Sequence, residues 1–272
     1  MIRSMYSGVS GMRGFQTKLD VIGNNIANVN TIGFKGSRAM FKDIMSQTIE
    51  GTTAPNDNSG GVNAKQIGLG VSLASIDTVH TAGSAMTTNR LLDMRIDGDG
   101  FFAVQLGEDQ EAPFLTRAGN FYLDASRTLV TADGLNVLDS GGGVIQLDDD
   151  ITSFSISQNG EIIAKRDDGT TEATGVQLGI IKVVNPEGLE KMGGNLYRLT
   201  PNAVEDGEAE IVTANDTEAG TGAIVSGQLE MSNVDLTEEF TEMIVAQRGF
   251  QANSRIITTS DEVLQEVVNL KR

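Results

Sequence analysis

The sequence predicts an α+β fold: a helical coiled-coil domain assembled discontinuously from both chain ends, plus a central all-β antiparallel domain. Three observations predict it. Apolar residues recur at coiled-coil spacing only near the two ends. Between them lie short strand-like runs, punctuated by Gly, Asp and Asn every ~8–12 residues. No helical pattern separates consecutive runs, which argues against a parallel βαβ sheet. The domains read as 1–32 (first helix), 33–75 (connector with a flexible loop), 76–232 (β domain) and 233–272 (second helix, pairing with the first).

The first helix rests on Ile2, Met5, Val9, Met12, Phe15, Leu19, Ile22, Ile26 and Val29, spaced 3, 4, 3, 3, 4, 3, 4 and 3. This is a coiled-coil seam with one irregular step at Met12–Phe15, narrow enough to want one or a few partner helices. Gly8, Gly11, Gly14 and Gly23 each weaken it by roughly 1 kcal/mol relative to Ala. They allow close helix approach, or let the segment stay unfolded until assembly. A helix so weakened is marginal alone, so the free monomer is expected to leave its ends largely unfolded.

The second helix, 235–272, opens on Asp235 and Glu238, a capping-box pattern. Leu236, Met243, Phe250, Ile257 and Leu264 recur every seven residues. The companion row Phe240, Gln247, Ser254, Asp261 and Val268 is polar in its middle, so it faces other helices or water. Lys271 and Arg272 suit the negative end of the helix dipole.

In the middle, DMRIDGDGFFAV reads as strand, turn, strand, and FLTRAGNFYLD repeats the pattern. LVTADGLNVLD, FSISQNGEIIAKRDDG and VQLGIIKVV follow. NPEGLEKMGGNLYRLT (185–200) reads as irregular with one helical turn. The polar stretches 46–66 and 201–222 read as exposed flexible tethers.

Composition narrows the function. Net charge is −17, no basic stripe of the kind a nucleic-acid binder needs is visible, and an anionic membrane surface would repel the chain. With no cysteine, disulfides, thiolate metal sites and Cys nucleophiles are excluded. No apolar run is long enough to insert in a membrane. The start, MIRSMYSGVSGMRGF, lacks the apolar core of a cleaved signal peptide, so export would take another route.

Candidate chemical sites fail on inspection. His80 is the sole histidine and reads as a surface or strand residue without metal or triad partners. Asp97, Asp99 and Glu108 echo a calcium loop, but Phe101 and Phe102 occupy its ligand and glycine positions, leaving a hairpin turn. Asp148-Asp149-Asp150 and Gly141-Gly142-Gly143 read as turns. No catalytic residue, cofactor or metal is assigned.

Leu19-Asp20-Val21-Ile22-Gly23-Asn24-Asn25-Ile26-Ala27-Asn28, then Gly33-Phe34-Lys35, resembles the N-terminal signature of flagellar rod and hook axial proteins. Asn24, Asn25, Asn28 and Asn30 can bond backbone where the helix stops, and Gly33 permits the turn. The run 233–272 is similar to the family's C-terminal helix, and IDGDGFFAV and TRAGNFYLD to its β domain. Within the family, GNNIAN, Phe250 and the VNLKR ending favour a short hook subunit. The chain's length and its MIRSMYSG start favour the alternative, a distal rod subunit.

The resemblance implies a non-enzymatic structural homopolymer, with terminal helices forming the tube wall and the β domain outside. As a hook it would be a bendable joint passing torque from rod to filament. Its partners would be itself, rod and hook–filament junction proteins, a hook cap and the flagellar type III export apparatus, and it would lie in the extracellular hook and basal body. The subunit-interface candidates are Met5, Met12, Leu19, Ile22, Ile26, Leu236, Phe240, Met243, Phe250, Ile257 and Leu264. Rival readings are a secreted binding module on a coiled-coil stalk, giving discrete small oligomers, and an enzyme using acidic side chains, requiring a pocket of perturbed carboxylates.

Overall fold

The computed structural model describes residues 2–55, 60–107, 112–167, 169–204 and 209–270. Glu108, Lys271 and Arg272 lie outside the described residues, as do parts of the two presumed tethers. The chain divides into two compact units.

The first unit takes Met1–Ala27, Ser37–Thr78 and Asp235–Arg272. It holds α1 (Ile2–Ala27), β1 (Ser37–Asp43), β2 (Ser46–Glu50), β3 (Lys65–Gly68), β4 (Val71–Thr78) and α2 (Leu236–Asn269). The Asp235 carboxylate accepts from the backbone N–H groups of Thr237 and Glu238, satisfying two orphan donors at the start of α2. Strands β1 and β4 pair antiparallel, Ser37 opposite Thr78, with a bulge between Met40 and Phe41.

The two ends of the 46–66 stretch, expected as an exposed flexible loop, are strands. Strands β2 and β3 pair as an antiparallel ladder, Ser46 opposite Gly68, extended by a Thr53–Val62 bridge. Every residue of both strands is exposed. With neither face buried, the apolar alternation that announces a strand is missing.

The second unit takes Asn28–Gly36 and Val79–Val234. Its strands are β5 (Ala85–Thr87), β6 (Met94–Asp97), β7 (Phe101–Gln105), β8 (Phe114–Thr116), β9 (Tyr122–Leu123), β10 (Leu129–Val130), β11 (Asn136–Val137), β12 (Ile151–Ile156), β13 (Glu161–Arg166), β14 (Thr171–Gln177), β15 (Gly179–Ile181), β16 (Glu190–Gly193), β17 (Leu196–Arg198), β18 (Ile211–Thr213), β19 (Ala223–Ser226) and β20 (Gln228–Glu230). Among the described residues the largest sheet runs β16-β17-β8-β7-β11-β10-β9, with β15 pairing β7 and β18. A separate sheet runs β12-β13-β14, and β6 pairs β19 while β5 pairs β20. The core gathers Met94, Ile96, Phe102, Val104, Phe121, Leu178 and Ile180, each at most 1% exposed. Phe102 meets Phe121 edge to face at 5.1 Å, a favoured aromatic geometry.

Four further expectations change. Strands β6 and β7 do not form a hairpin: β6 pairs β19, whereas β7 pairs β8, β11 and β15. Gly98 and Gly100, at φ 126° and 132°, adopt backbone that only glycine takes readily, and they turn the chain from one sheet into another. Likewise β8 and β9 pair elsewhere, because Gly119 and Asn120 bond Met94 and Asp93 instead. The 185–200 stretch holds a 3-10 turn at Pro186–Gly188 and then the β16–β17 hairpin. The 201–222 stretch supplies β18 and a hydrogen-bonded turn at Asp216–Gly220.

Candidate functional site

Two assemblies of residues stand out, one in each unit. In the first unit, α1 and α2 pack antiparallel along a seam closed by small residues. Gly8 faces Ile257 and Gly11 faces Asn253, while Gly249 faces the ring of Phe15. An added Cβ at Gly11 would lie 2.6 Å from Asn253 Nδ2, and one at Gly249 2.5 Å from Phe15 Cζ. These glycines therefore let the helices approach closely. Lys18 pairs with Glu242 across the seam.

Of the interface candidates, Ile22 is buried, and Met5, Met12, Leu19, Ile26, Met243, Ile257 and Leu264 are half-buried. Leu236, Phe240 and Phe250 are exposed instead, at 39%, 50% and 38%. Glu239 and Asn253 of α2 meet Asn25 and Gly11 of α1, and Ala246 is fully buried, none of which a count of large apolar residues picks out. Ile244, Val245, Ile256, Val263, Val267 and Val268 join the exposed set. A helix with this much apolar surface in water is incomplete without further packing.

Asn25, from the NNIAN run, is 2% exposed and ties three elements together. Its Nδ2 donates to the Ser37 carbonyl at 2.7 Å and to Glu239 Oε1 at 2.8 Å, and its Oδ1 accepts from Ser37 N–H at 3.0 Å. So this asparagine bonds backbone near the end of α1, as expected, but the backbone is that of β1, and it docks β1 and α2 on α1. Burial raises the Glu239 carboxyl above its usual range, opposed by the Asn25 hydrogen bond and reinforced by Glu238 and Glu242.

In the second unit, the GFK segment builds a buried ion cluster. Gly33 is at φ 68°, and its N–H donates to the Glu230 carbonyl at 2.8 Å. An added Cβ there would lie 2.6 Å from Ala118 N, so glycine is required twice over. Lys35 Nζ donates to Glu230 Oε1 and to the Thr81 carbonyl, both at 2.6 Å. Glu230 Oε1 also accepts from Gly83 N–H at 2.9 Å, and Oε2 faces Arg117 Nη1 at 3.4 Å. Asn233 continues the clasp, accepting from Gly36 N–H and donating to the Val79 carbonyl.

The electrostatics follow from burial. Desolvation lowers Lys35 and Arg117, against the attraction of Glu230. Burial alone would raise Glu230, but Arg117, Lys35 and the hydrogen bonds hold it below the usual carboxylate range. His80 is not a plain surface residue. Its ring packs at 5.8 Å from Phe101 and 5.5 Å from Tyr197. Burial, then Lys35, Lys191 and Arg117, push it down to about 4. Burial pushes Tyr197 up to about 12. Sequence inspection missed this cluster because its members are scattered along the chain.

Elsewhere the acidic and Gly runs behave as turns. Asp139 Oδ1 accepts from Gly141 and Gly143 N–H groups, closing the Gly-rich bend. The backbone around Asp148–Ile151 is held by Arg127. Among the described residues no helix is long and apolar enough to cross a membrane.

Comparison with known proteins gives these assemblies a context. Residues 5–35 match the family described as flagella basal body rod protein. Residues 95–164 match the flagellar hook protein FlgE/F/G D1 domain, and residues 225–270 the flagellar basal body rod FlgEFG protein C-terminal. The flagellar basal-body rod protein FlgG of Bacillus subtilis (strain 168) is 57% identical over 273 residues, covering 100% of both chains. FlgG of Borreliella burgdorferi is 36% identical over 274 residues, again covering both fully. The flagellar hook protein FlgE of the same organism is 30% identical, but across an alignment of 452 residues.

Proposed function

The chain belongs to the flagellar rod and hook family of axial structural proteins, and from that premise we propose that it is a subunit of the distal rod, the straight shaft of the basal body. One observation carries this reading: 57% identity to a rod protein FlgG across the whole of both chains, in an alignment of 273 residues. The hook relatives align at 30% and 28%, over 452 and 472 residues against the 272 of this chain. Large stretches of those hook proteins therefore have no counterpart here. The hook features GNNIAN, Phe250 and VNLKR weigh less than whole-chain similarity, so the hook expectation gives way to its alternative.

The β2–β3 ladder supports the same reading. A bendable joint is served by a slack tether, whereas this segment is a hairpin. It carries Ile49, Val62 and Ile67 exposed, beside Ile44 and Met45. Such surface favours a fixed contact in the assembled shaft over sliding. Polymerisation covers the outward apolar residues of α2. Export through the flagellar type III apparatus, and contacts with neighbouring rod and hook subunits, belong to this reading.

Electron microscopy of basal bodies from a strain lacking the gene tests it. Distal rod subunits predict basal bodies whose rod stops short and carries no hook. A complete rod lacking only its hook would refute the proposal.

A further inference from the structure

The buried ion cluster carries one cation too many. Lys35 and Arg117 share the single carboxylate of Glu230, and the three are 0%, 5% and 1% exposed. Among the described residues no second carboxylate lies within ion-pair distance of either cation. A buried charge without its counter-charge is costly, so a cluster of this sign favours an anion beside it.

Arg117 borders a cavity of about 330 Å³ that also touches His80 and Lys182. Arg117 Nε and His80 Nδ1 are both buried without a hydrogen-bond partner among the described residues. Asp99, the acid on this cavity, is exposed and acts on Arg117 through space. Phe101 forms an apolar wall, and Val184, at the same cavity, is 87% exposed. An unsatisfied guanidinium N–H and an unpartnered imidazole nitrogen beside an apolar wall are the makings of a small, polar-specific site.

We propose that this cavity takes a single carboxylate, supplied by an acidic side chain of a second copy of the chain. The chemistry follows from the guanidinium and the ammonium of Lys182, which favour a compact oxyanion. The donor follows from two facts. Subunits of net charge −17 repel one another unless cations on one copy meet carboxylates on the next. Val184, exposed at the same cavity, gives the contact apolar surface to bury. The identity of the donor rests on the polymer reading above, and the carboxylate site itself does not.

The test uses the full-length, unpolymerised protein. Acetate is titrated at constant ionic strength against chloride, following the ring signals of His80, the chain's one histidine, by NMR. A saturable shift with acetate but not chloride is expected. Lys182→Ala, an exposed substitution, should weaken it about tenfold. In polymer free of added acetate, His80 should show the acetate-bound shift, and Lys182→Ala subunits should assemble more slowly. No response to acetate beyond chloride overturns the site. Acetate binding with unaltered His80 signals and unaltered assembly in the polymer overturns the second copy as donor. The monomer titration reads out whether or not the chain is a rod subunit.

Discussion

Lys35 and Glu230 stand 195 residues apart in the chain and 2.6 Å apart in space, almost without contact with water. The pair joins the first and last segments of the β unit, so the unit is complete only when both are present. Glu230 serves two buried cations while Lys35 serves one carboxylate. Glu230→Gln should therefore destabilise more than Lys35→Met. Removing one partner of a buried pair costs about 3–5 kcal/mol, and Glu230→Gln falls at the upper end. Urea unfolding of both variants checks the order, and the reverse order would count against the cluster as described.

His80 gives the β unit a defined response to acid. Its folded pKa of about 4 lies below its ordinary value of 6.5, so folding favours the neutral ring. The contribution is fully present above pH 6.5, declines as pH falls from 6.5 towards 4, and levels off below. Melting temperatures of wild type and His80→Gln should thus converge or cross through that window. Parallel pH profiles would contradict a buried neutral histidine.

The glycines of the helical unit separate into two kinds. Gly23 has no atom near its missing Cβ, and Gly23→Ala should stabilise the helix by about 1 kcal/mol. Gly249 faces the Phe15 ring, and Gly249→Ala should push the helices apart and destabilise despite the better propensity. Thermal disassembly of the polymer followed by circular dichroism should move up for the first and down for the second.

Asp235 caps α2 through two backbone N–H groups. Asp235→Ala should cost about 1 kcal/mol, while Asp235→Ser should recover most of it. Denaturation midpoints of the two variants measure this.

The exposed hairpin separates folding from assembly. Ile49→Asp and Ile67→Asp replace residues that are 62% and 45% exposed. Both should leave subunit stability within about 0.5 kcal/mol yet raise the concentration needed to polymerise. Sedimentation of assembled protein, compared with subunit melting, distinguishes the two effects.

The helices were legible because their apolar spacing is a local property, as were the β10–β11 and β12–β13 hairpins with their Asp133-Gly134 and Asn159-Gly160 turns. Partner choice was not. The Asp97–Gly100 turn looks like a hairpin turn in sequence but switches the chain between sheets, and nothing local distinguishes the two. The β2–β3 ladder was hidden because neither face is buried. In α2, Ala246 and Gly249 matter by being small, a signal invisible to a count of large apolar residues. The Lys35 cluster depends on residues from distant parts of the chain, so the signature Gly33-Phe34-Lys35 marks Lys35 without naming its partners.

The distal-rod reading is tested most directly by electron cryomicroscopy of intact basal bodies, at a resolution that identifies side chains. This chain should be traced in the straight shaft below the hook, with the outward face of α2 and the β2–β3 hairpin against neighbouring copies. Tracing it in the curved segment beyond the shaft would refute the distal-rod assignment.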